Sequence, residues 1–190
     1  MTMAPDIRRE EIQNMGGGNE PVKSSVIILV YPGREGEACT VFIQRPQYDG
    51  VHSGQIAFPG GRHETGDANM MDTALREAEE EIGVDRQHVE VAGKLTDLYI
   101  PPSNYLVTPF IGIMSTRPVF TPDKKEVEHV IEVPLRIFSD EEYLARVPIT
   151  MATGECLTTP CYLVNNHTIW GATAMIMAEF VALIRHLTNA

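Results

Sequence analysis

Runs of apolar residues in the first half of the chain have the length and composition of β-strands. They are rich in β-branched and aromatic residues and end at glycine or proline, as Ser24 to Val30 does at Pro32-Gly33. Pro59-Gly60-Gly61 stops a short run, and Pro101-Pro102 separates two later ones because proline cannot lie inside a paired strand. The predicted strands cover residues 24–30, 39–43, 55–58 and the stretches near 89–99 and 105–114.

A helical pattern follows the third strand. Apolar residues recur at i, i+3, i+4, i+7 and i+11, which places them on one face of a helix. They are Met71, Ala74, Leu75, Ala78 and Ile82. Residues 62–69 before them are predicted to be a polar loop. Asp72 or Thr73 can cap the start of the helix, and Gly83 ends it.

The last third of the chain predicts a hairpin and a final helix. Residues 162–164 and 168–170 flank the turn Asn165-Asn166-His167, and residues 172–187 are strongly apolar. A helix start is predicted at 139–142, whereas 126–133 is ambiguous. Because strands outnumber helices without alternating regularly with them, the expected class is α+β, with mixed layers around one core.

Length and composition fit one soluble domain. Residues 1–20 end in three glycines and predict a flexible lead-in, which leaves 21–190 as a single domain. The formal net charge of −11 argues against binding nucleic acid or anionic lipid, and we expect no membrane span. Cys39, Cys156 and Cys161 are expected to be free thiols in a reducing cytoplasm, because the acidic N-terminus does not resemble a signal peptide.

The predicted helix also carries an acidic face. Glu77, Glu80 and Glu81 lie at i, i+3 and i+4, away from the apolar face. Like charges at this spacing repel by roughly a few tenths of a kcal/mol per pair, and the helix dipole disfavours anions near its C-terminal end. A bound Mg²⁺ or Mn²⁺ would reverse both effects, because hard cations bind carboxylate oxygens. The alternative is a solvated acidic surface, which is common on exposed helices.

The residues around this acidic face resemble the Nudix box. Gly61, Asp67 and the run from Arg76 to Val84 follow the family pattern G-x5-E-x7-R-E-U-x-E-E-x-G-U, in which U is a bulky apolar residue. Ala78 is small for the first U, Asp67 replaces a glutamate, and the segment before Arg76 is one residue longer than in the pattern. The resemblance implies the Nudix fold, an α/β/α sandwich with a mixed β-sheet between helices.

The same resemblance implies roles for the residues of the box. Glu77 and Glu81 would ligate Mg²⁺ or Mn²⁺, and Glu80 would ligate the metal or act as general base. The Gly61 carbonyl would add a ligand. Arg76 would pair with the glutamates and orient them, with contact to substrate as the alternative. Metal would lower the pKa of bound water, and a carboxylate would remove its proton.

The residues that flank the box resemble the coenzyme A pyrophosphatase subfamily. Arg45, Gly54 and Phe58 to Gly61 fit its motif, whereas Gly50 occupies the position of a second arginine. Three later segments also fit: 105–112, 126–135 and 169–174. The resemblance covers about residues 24–187.

This second resemblance implies a hydrolase that cleaves the diphosphate linkage of coenzyme A or its derivatives to 3′,5′-ADP and a phosphopantetheine. Arg45, His52 and Gln55 are candidate contacts to phosphate or nucleotide, and Glu126 is a candidate additional base or ligand. The alternatives are a histidine without a role and an exposed loop carboxylate. Lys124-Lys125 is expected to be solvated, with attraction of a 3′-phosphate as its alternative.

Two other functions stay open. One is a Nudix hydrolase of another nucleoside diphosphate derivative, such as ADP-ribose, NADH or a dinucleoside polyphosphate. The other is a non-catalytic Nudix-fold binding module, which the three glutamates of the box make less favoured. The expected partner is therefore a small nucleotide-like diphosphate, and a homodimer stays open.

Overall fold

The computed structural model of the protein describes residues 3, 20–47, 54–150, 154 and 156–188. The main sheet contains β1 (Val22–Pro32), β2 (Ala38–Gln44), β3 (Ile56–Ala57), β4 (Gly60–Arg62), β5 (Glu90–Lys94), β6 (Leu98–Ile100), β7 (Tyr105–Ile113) and β8 (His129–Pro134). A second sheet contains β9 (Leu144–Thr150), β10 (Cys156–Val164) and β11 (His167–Trp170). The α-helices among the described residues are α1 (Met70–Ile82) and α2 (Gly171–Thr188).

Strand β1 lies at the centre of the main sheet, whose path is β3-β2-β1-β7-β5. It pairs in parallel with β7 and antiparallel with β2 and β4, so the sheet is mixed. In the pairing of β1 with β4, Ser25 lies opposite Gly61 and Val26 lies opposite Gly60. The two glycines, which were predicted to stop a strand, therefore form a short strand of their own.

The two faces of the sheet bury separate apolar clusters, because successive side chains of a strand point to opposite faces. In β1, Ile27, Leu29 and Tyr31 join the cluster that also contains Ala74, Ala78 and Ile82 of α1. Ile28 joins the other cluster, which contains residues of α2. A sheet between two helices is the α+β sandwich that was predicted, and this prediction is confirmed.

Helix α1 begins and ends through its own capping residues. Asn69 is the N-cap, since its side chain accepts hydrogen bonds from the backbone N–H groups of Met71 and Asp72. The prediction of Asp72 or Thr73 as the cap was wrong by three to four positions. Gly83 ends the helix in the left-handed conformation with φ 70°, as predicted.

The hairpin and the final helix are present, with small shifts of their bounds. The turn holds only Asn165 and Asn166, both at positive φ, and His167 already belongs to β11. By length and composition α2 is apolar enough to span a membrane, which the sequence did not lead us to expect. In the structure it packs on the core through a buried face formed by Ala174, Ile176, Met177, Phe180 and Val181.

Three stretches differ from the predictions. Residues 139–142 form no α-helix but lie in short 3-10 turns at Leu135–Ser139 and Glu141–Tyr143, where Asp140 ends the first turn and caps the second. The ambiguous stretch 126–133 is largely strand β8, which pairs with β2. Strand β9 was not predicted at all. Of the predicted lead-in, only Met3 and Glu20 are described, and the Met3 side chain is buried in the cluster beside α2.

Candidate active site

Strand β4 lies close to both β1 and α1 at its two glycines. A Cβ atom on Gly60, whose φ is 151°, would lie 2.6 Å from the Cα atom of Val26. A Cβ atom on Gly61 would lie 2.5 Å from the carboxylate carbon of Glu77. Gly60 therefore lets β4 lie close against β1, and Gly61 brings the backbone of β4 to the acidic face of the helix.

Glu81 is the most buried carboxylate of this acidic face. Its Oε2 atom accepts a hydrogen bond of 2.8 Å from the Gly60 N–H, and its Oε1 atom lies 3.6 Å from Arg45 Nη2. Arg45 Nη2 also donates to the Gly60 carbonyl at 3.0 Å. Burial raises the pKa of Glu81 to about 8, although Arg45 and the Gly60 amide both oppose that shift.

Arg76 lies at the centre of a network of ion pairs. Its Nε and Nη2 atoms bind the two oxygens of Asp67 at 2.7 and 3.1 Å. Its Nη1 atom lies 3.0 Å from Glu77 Oε1 and 2.8 Å from Glu80 Oε2. These hydrogen bonds hold the pKa of Asp67 well below its usual range and raise that of Arg76. Arg76 thus contacts two of the three glutamates of the acidic face.

Asp67 is a candidate site residue whose role the sequence left open. Its side chain is 3% exposed and also accepts hydrogen bonds from the Thr73 hydroxyl and the Glu64 N–H. These partners are all hydrogen-bond donors, and through them Asp67 holds Arg76 in place. In the sequence this acidic residue lies nine positions before Arg76. Because the loop is one residue longer than in the family pattern, its role could not be assigned from the spacing.

Glu126 comes near the acidic face through a segment that docks on the end of α1. The Thr121 N–H donates to the Ile82 carbonyl at 2.9 Å, and the Asp123 N–H donates to the Glu81 carbonyl at 3.0 Å. Burial raises the pKa of Glu77, and Glu126 contributes to that shift as it does for Glu81. Glu126 itself is exposed.

The structure describes only some of the other residues that were singled out from the sequence. Gln55 is half-buried, and its backbone carbonyl accepts from the Arg45 N–H at 3.0 Å. His52 and Gly50 lie outside the described residues. Phe58 is buried in the core, with the centroid of its ring 4.7 Å from that of Phe42. The side chains of Lys124 and Lys125 are exposed.

The acidic face offers the ligand type that a divalent cation prefers, namely carboxylate oxygens. The raised pKa values of Glu77 and Glu81 reflect negative charge that burial leaves incompletely compensated, and a bound cation would relieve it. Within the part of the chain that the structure describes, however, no three acidic, histidine or cysteine side chains already form a cation-binding group. The carboxylate oxygens of the acidic face suit a divalent cation. Glu80, whose side chain is 57% exposed, has to turn away from Arg76 to bind it.

Comparison with known proteins identifies the class that this fold and site define. The sequence model of the NUDIX domain matches residues 21–147. The chain therefore belongs to the Nudix family, and it is a Nudix hydrolase, an enzyme of the pyrophosphohydrolase class. Enzymes of this family generally use divalent metal ions.

Two curated relatives show how far the similarity extends. The chain is 35% identical over 155 residues to an uncharacterised Nudix hydrolase, NudL, of Yersinia pestis, covering 80% of this chain and 72% of the relative. It is 31% identical over 169 residues to chloroplastic Nudix hydrolase 22 of Arabidopsis thaliana, covering 86% of this chain. The match spans only 56% of the length of the Arabidopsis protein.

Solved structures share the fold at low sequence identity. The Nudix hydrolase RenU of M. smegmatis superposes with a TM-score of 0.58 at 14% identity, covering 89% of this chain and 86% of RenU. An Ap4A hydrolase of C. elegans gives a TM-score of 0.57 at 13% identity, covering 86% of this chain and 98% of that one. These likenesses establish the fold and carry no information on substrate.

Proposed function

We propose that the protein hydrolyses the diphosphate linkage of coenzyme A or its derivatives, with Mg²⁺ or Mn²⁺, to 3′,5′-ADP and a phosphopantetheine. The observation that carries this proposal is the position of Arg45. This arginine belongs to the motif that resembles coenzyme A pyrophosphatases, and its guanidinium group contacts the Gly60 carbonyl and lies 3.6 Å from Glu81. An arginine of the subfamily motif thus lies beside Glu81, a glutamate of the Nudix box.

The acidic face would bind the metal through Glu77, Glu80, Glu81 and the Gly61 carbonyl. The bound cation would supply an activated water and neutralise charge that develops on the diphosphate. Arg76, anchored by Asp67, fixes the position of Glu77, whereas Glu80 would leave its ion pair with Arg76 to reach the metal. Glu80 is the proposed general base, since it is the most exposed of the three glutamates and can reach a proton on water.

Glu126 and Arg45 would act at the border of this cluster. Glu126 is exposed on the segment that docks on α1, and it is the proposed second base or ligand. Arg45 already lies beside buried Glu81, and in the presence of substrate its guanidinium group would be available to a phosphate oxygen. Gln55 and His52 are the other proposed contacts to the substrate.

A substrate panel tests the proposal directly. Purified protein is incubated with Mg²⁺ or Mn²⁺ and, in separate reactions, with coenzyme A, acetyl coenzyme A, ADP-ribose, NADH and a dinucleoside polyphosphate, and the nucleotides are separated. We expect 3′,5′-ADP from both coenzyme A substrates, with a higher kcat/KM than for the others. Absence of 3′,5′-ADP in the presence of metal would rule out this substrate class, and preference for another compound would identify the alternative enzyme.

A matched pair of arginine variants adds a control. Arg45→Gln should lower kcat/KM for coenzyme A by about tenfold or more, because a charge-assisted hydrogen bond to phosphate contributes about 1.5 to 3 kcal/mol. Arg136 is exposed and follows β8, and Arg136→Gln removes the same charge at a residue to which no function is assigned. Equal effects of the two variants would contradict a specific role for Arg45.

A further inference from the structure

An open cavity of about 490 Å³ lies at the ends of β1 and β4. It is lined by Glu20, Pro21, Val22, Lys23, Arg62, His63 and Glu64. Its volume lies within the range of about 300 to 1,000 Å³ that is typical of small-molecule sites. Nothing in the roles already assigned uses this cavity.

Position links the cavity to the proposed reaction. Arg62 follows Gly61 directly, and consecutive Cα atoms are about 3.8 Å apart. Gly61 faces the Glu77 carboxylate, and side chains alternate along a strand, so Arg62 leaves β4 on the other side. The Arg62 carbonyl accepts from Arg76 Nη2 at 3.1 Å. A substrate held at Glu77 could therefore extend around the end of β4 into the cavity.

A chain of hydrogen bonds also connects the cavity to Arg76. His63 Nδ1 lies 2.9 Å from the Thr73 hydroxyl, which is 2.8 Å from Asp67 Oδ2. The hydroxyl has one hydrogen and the carboxylate can only accept, so Thr73 donates to Asp67 and accepts from His63 Nδ1–H. This assignment, made from the network, leaves Nε2 as the ring nitrogen of His63 that can reach a ligand.

The charges of the lining select the class of ligand. Lys23 and Arg62 are cations in an acidic protein. Arginine and lysine are the side chains that bind phosphate, the first through two hydrogen bonds and the second as a point charge. Glu20 and Glu64 oppose a free anion but accept hydrogen bonds from hydroxyl groups. A phosphate carried on a sugar suits this mixture better than inorganic phosphate does.

We propose that this cavity is a subsite for the phosphate monoester of the substrate, the 3′-phosphate of the adenosine moiety, with Lys23 and Arg62 as its main cationic contacts. The proposal rests on the function proposed above. It adds a binding site for the phosphate monoester of the substrate, separate from the site of the diphosphate. It also assigns the 3′-phosphate to a place other than Lys124-Lys125.

Binding measurements test the subsite without catalysis. Titration calorimetry compares adenosine 3′,5′-bisphosphate, 5′-AMP and inorganic phosphate. We expect the wild-type protein to bind the bisphosphate about tenfold more tightly than 5′-AMP, because one charge-assisted contact is worth at least a factor of ten. Arg62→Gln and Lys23→Gln should each reduce that ratio severalfold. Inorganic phosphate that binds as tightly as the bisphosphate would overturn the proposal.

Two control variants sharpen the result. Lys94→Gln removes a lysine on β5, where its amino group lies 3.7 Å from Asp97, and should leave the ratio as in the wild type. The double variant Lys124→Gln/Lys125→Gln tests the other candidate contact. If the double variant loses the preference for the bisphosphate over 5′-AMP while Arg62→Gln keeps it, the phosphate binds at Lys124-Lys125 and the subsite is refuted.

Kinetics with coenzyme A and 3′-dephospho-coenzyme A separate the two proposals. If the subsite is real, Arg62→Gln raises KM more for coenzyme A than for the dephospho compound. If both compounds are cleaved with equal KM by the wild type, the subsite is refuted while the proposed function stands. If neither is cleaved but the preference for bisphosphate depends on Arg62, the proposed function fails and the phosphate site stands.

Discussion

Helices α1 and α2 pack on opposite faces of the same sheet, yet their carboxylates have very different surroundings. On α2, Glu179 accepts hydrogen bonds from the backbone N–H and the hydroxyl of Thr96, at 2.9 and 2.7 Å. These donors are neutral, and they tie the helix to a loop. On α1, three glutamates of one face meet two arginines and the backbone of β4.

The difference shows what separates a structural helix from one that carries a site. Both helices bury an apolar face, and both faces contribute to the core. Only α1 also buries acidic groups, so that Glu77 and Glu81 have raised pKa values. That arrangement costs stability, because buried charge is unfavourable without full compensation. It is useful when a cation or an anionic substrate supplies the missing charge.

Among substitutions on α1, that of Glu80 is expected to have the largest effect on activity. Glu80→Gln keeps the size of the side chain but removes the proposed base, and should lower kcat by about 10²- to 10⁴-fold. The matched control is Glu79→Gln, an exposed neighbour on the same helix, for which we expect nearly wild-type kinetics. Unchanged activity in Glu80→Gln would count against this residue as the base.

A core substitution on α2 should lower stability and leave activity nearly unchanged. Phe180 is 4% exposed, and Phe180→Ala should lower the free energy of unfolding by about 3 to 5 kcal/mol while kcat at low temperature stays near the wild-type value. Leu187 on the same helix is 67% exposed, and Leu187→Ala should change stability by less than about 0.5 kcal/mol. Chemical denaturation measures both. A large fall in kcat without loss of stability would show that α2 takes part in the site.

Glycine substitutions test the close contact between α1 and β4. In Gly61→Ala the new Cβ atom would displace the Glu77 carboxylate, the end of a flexible side chain. We expect a loss in kcat of about 10²-fold, because a displacement of about 1 Å can have that effect, with little loss of stability. Gly93→Ala in β5 is the control, since its Cβ atom would meet no atom within 4 Å. Wild-type kinetics in Gly61→Ala would refute a positioned Glu77.

The ion pair between Asp67 and Arg76 predicts that the stability of the fold depends on pH. Arg76 lowers the pKa of Asp67, so this pair stabilises the fold fully above the pKa of the unfolded state, about 4, and the contribution is lost as pH falls further. Asp67→Asn should cost about 2 kcal/mol at pH 7 and progressively less below pH 4. Denaturation across this pH range measures the difference from the wild type.

An exposed ion pair provides the control for that experiment. Asp97 pairs with Lys94 at the surface, so Asp97→Asn should cost less than about 1 kcal/mol at pH 7. A difference between Asp67→Asn and the wild type that stayed constant down to the lowest pH would mean that the Asp67 carboxylate contributes through packing and not through its charge.

Local patterns predicted much of the fold and the core of the site. The apolar period of 71–82 identified α1, and Gly83 identified its end. The strand runs at 24–30 and 39–43 fell inside β1 and β2, which extend one to two residues further at either end. The bounds shifted because pairing with neighbouring strands, and not propensity alone, decides where a strand ends.

Other elements could not be predicted because their causes are not local. Strand β4 consists of Gly60, Gly61 and Arg62, residues with little preference for strands, and it exists because it pairs with β1. A helix was predicted to start at 139–142, but only a 3-10 turn forms at Glu141–Tyr143, and the chain continues as β9 because β9 pairs with β10. In both cases pairing in a sheet overrides the local signal.

The sequence by itself determined that a helix would carry Arg76, Glu77, Glu80 and Glu81 on a polar face above an apolar one, because the helical period assigns faces from spacing alone. Only the tertiary structure decided what those side chains meet. It placed Glu81 under the Gly60 amide, Arg45 beside it, and Asp67 against Arg76. These contacts join parts of the chain that no local period relates, since chain folding, and not spacing, brings them within hydrogen-bonding distance.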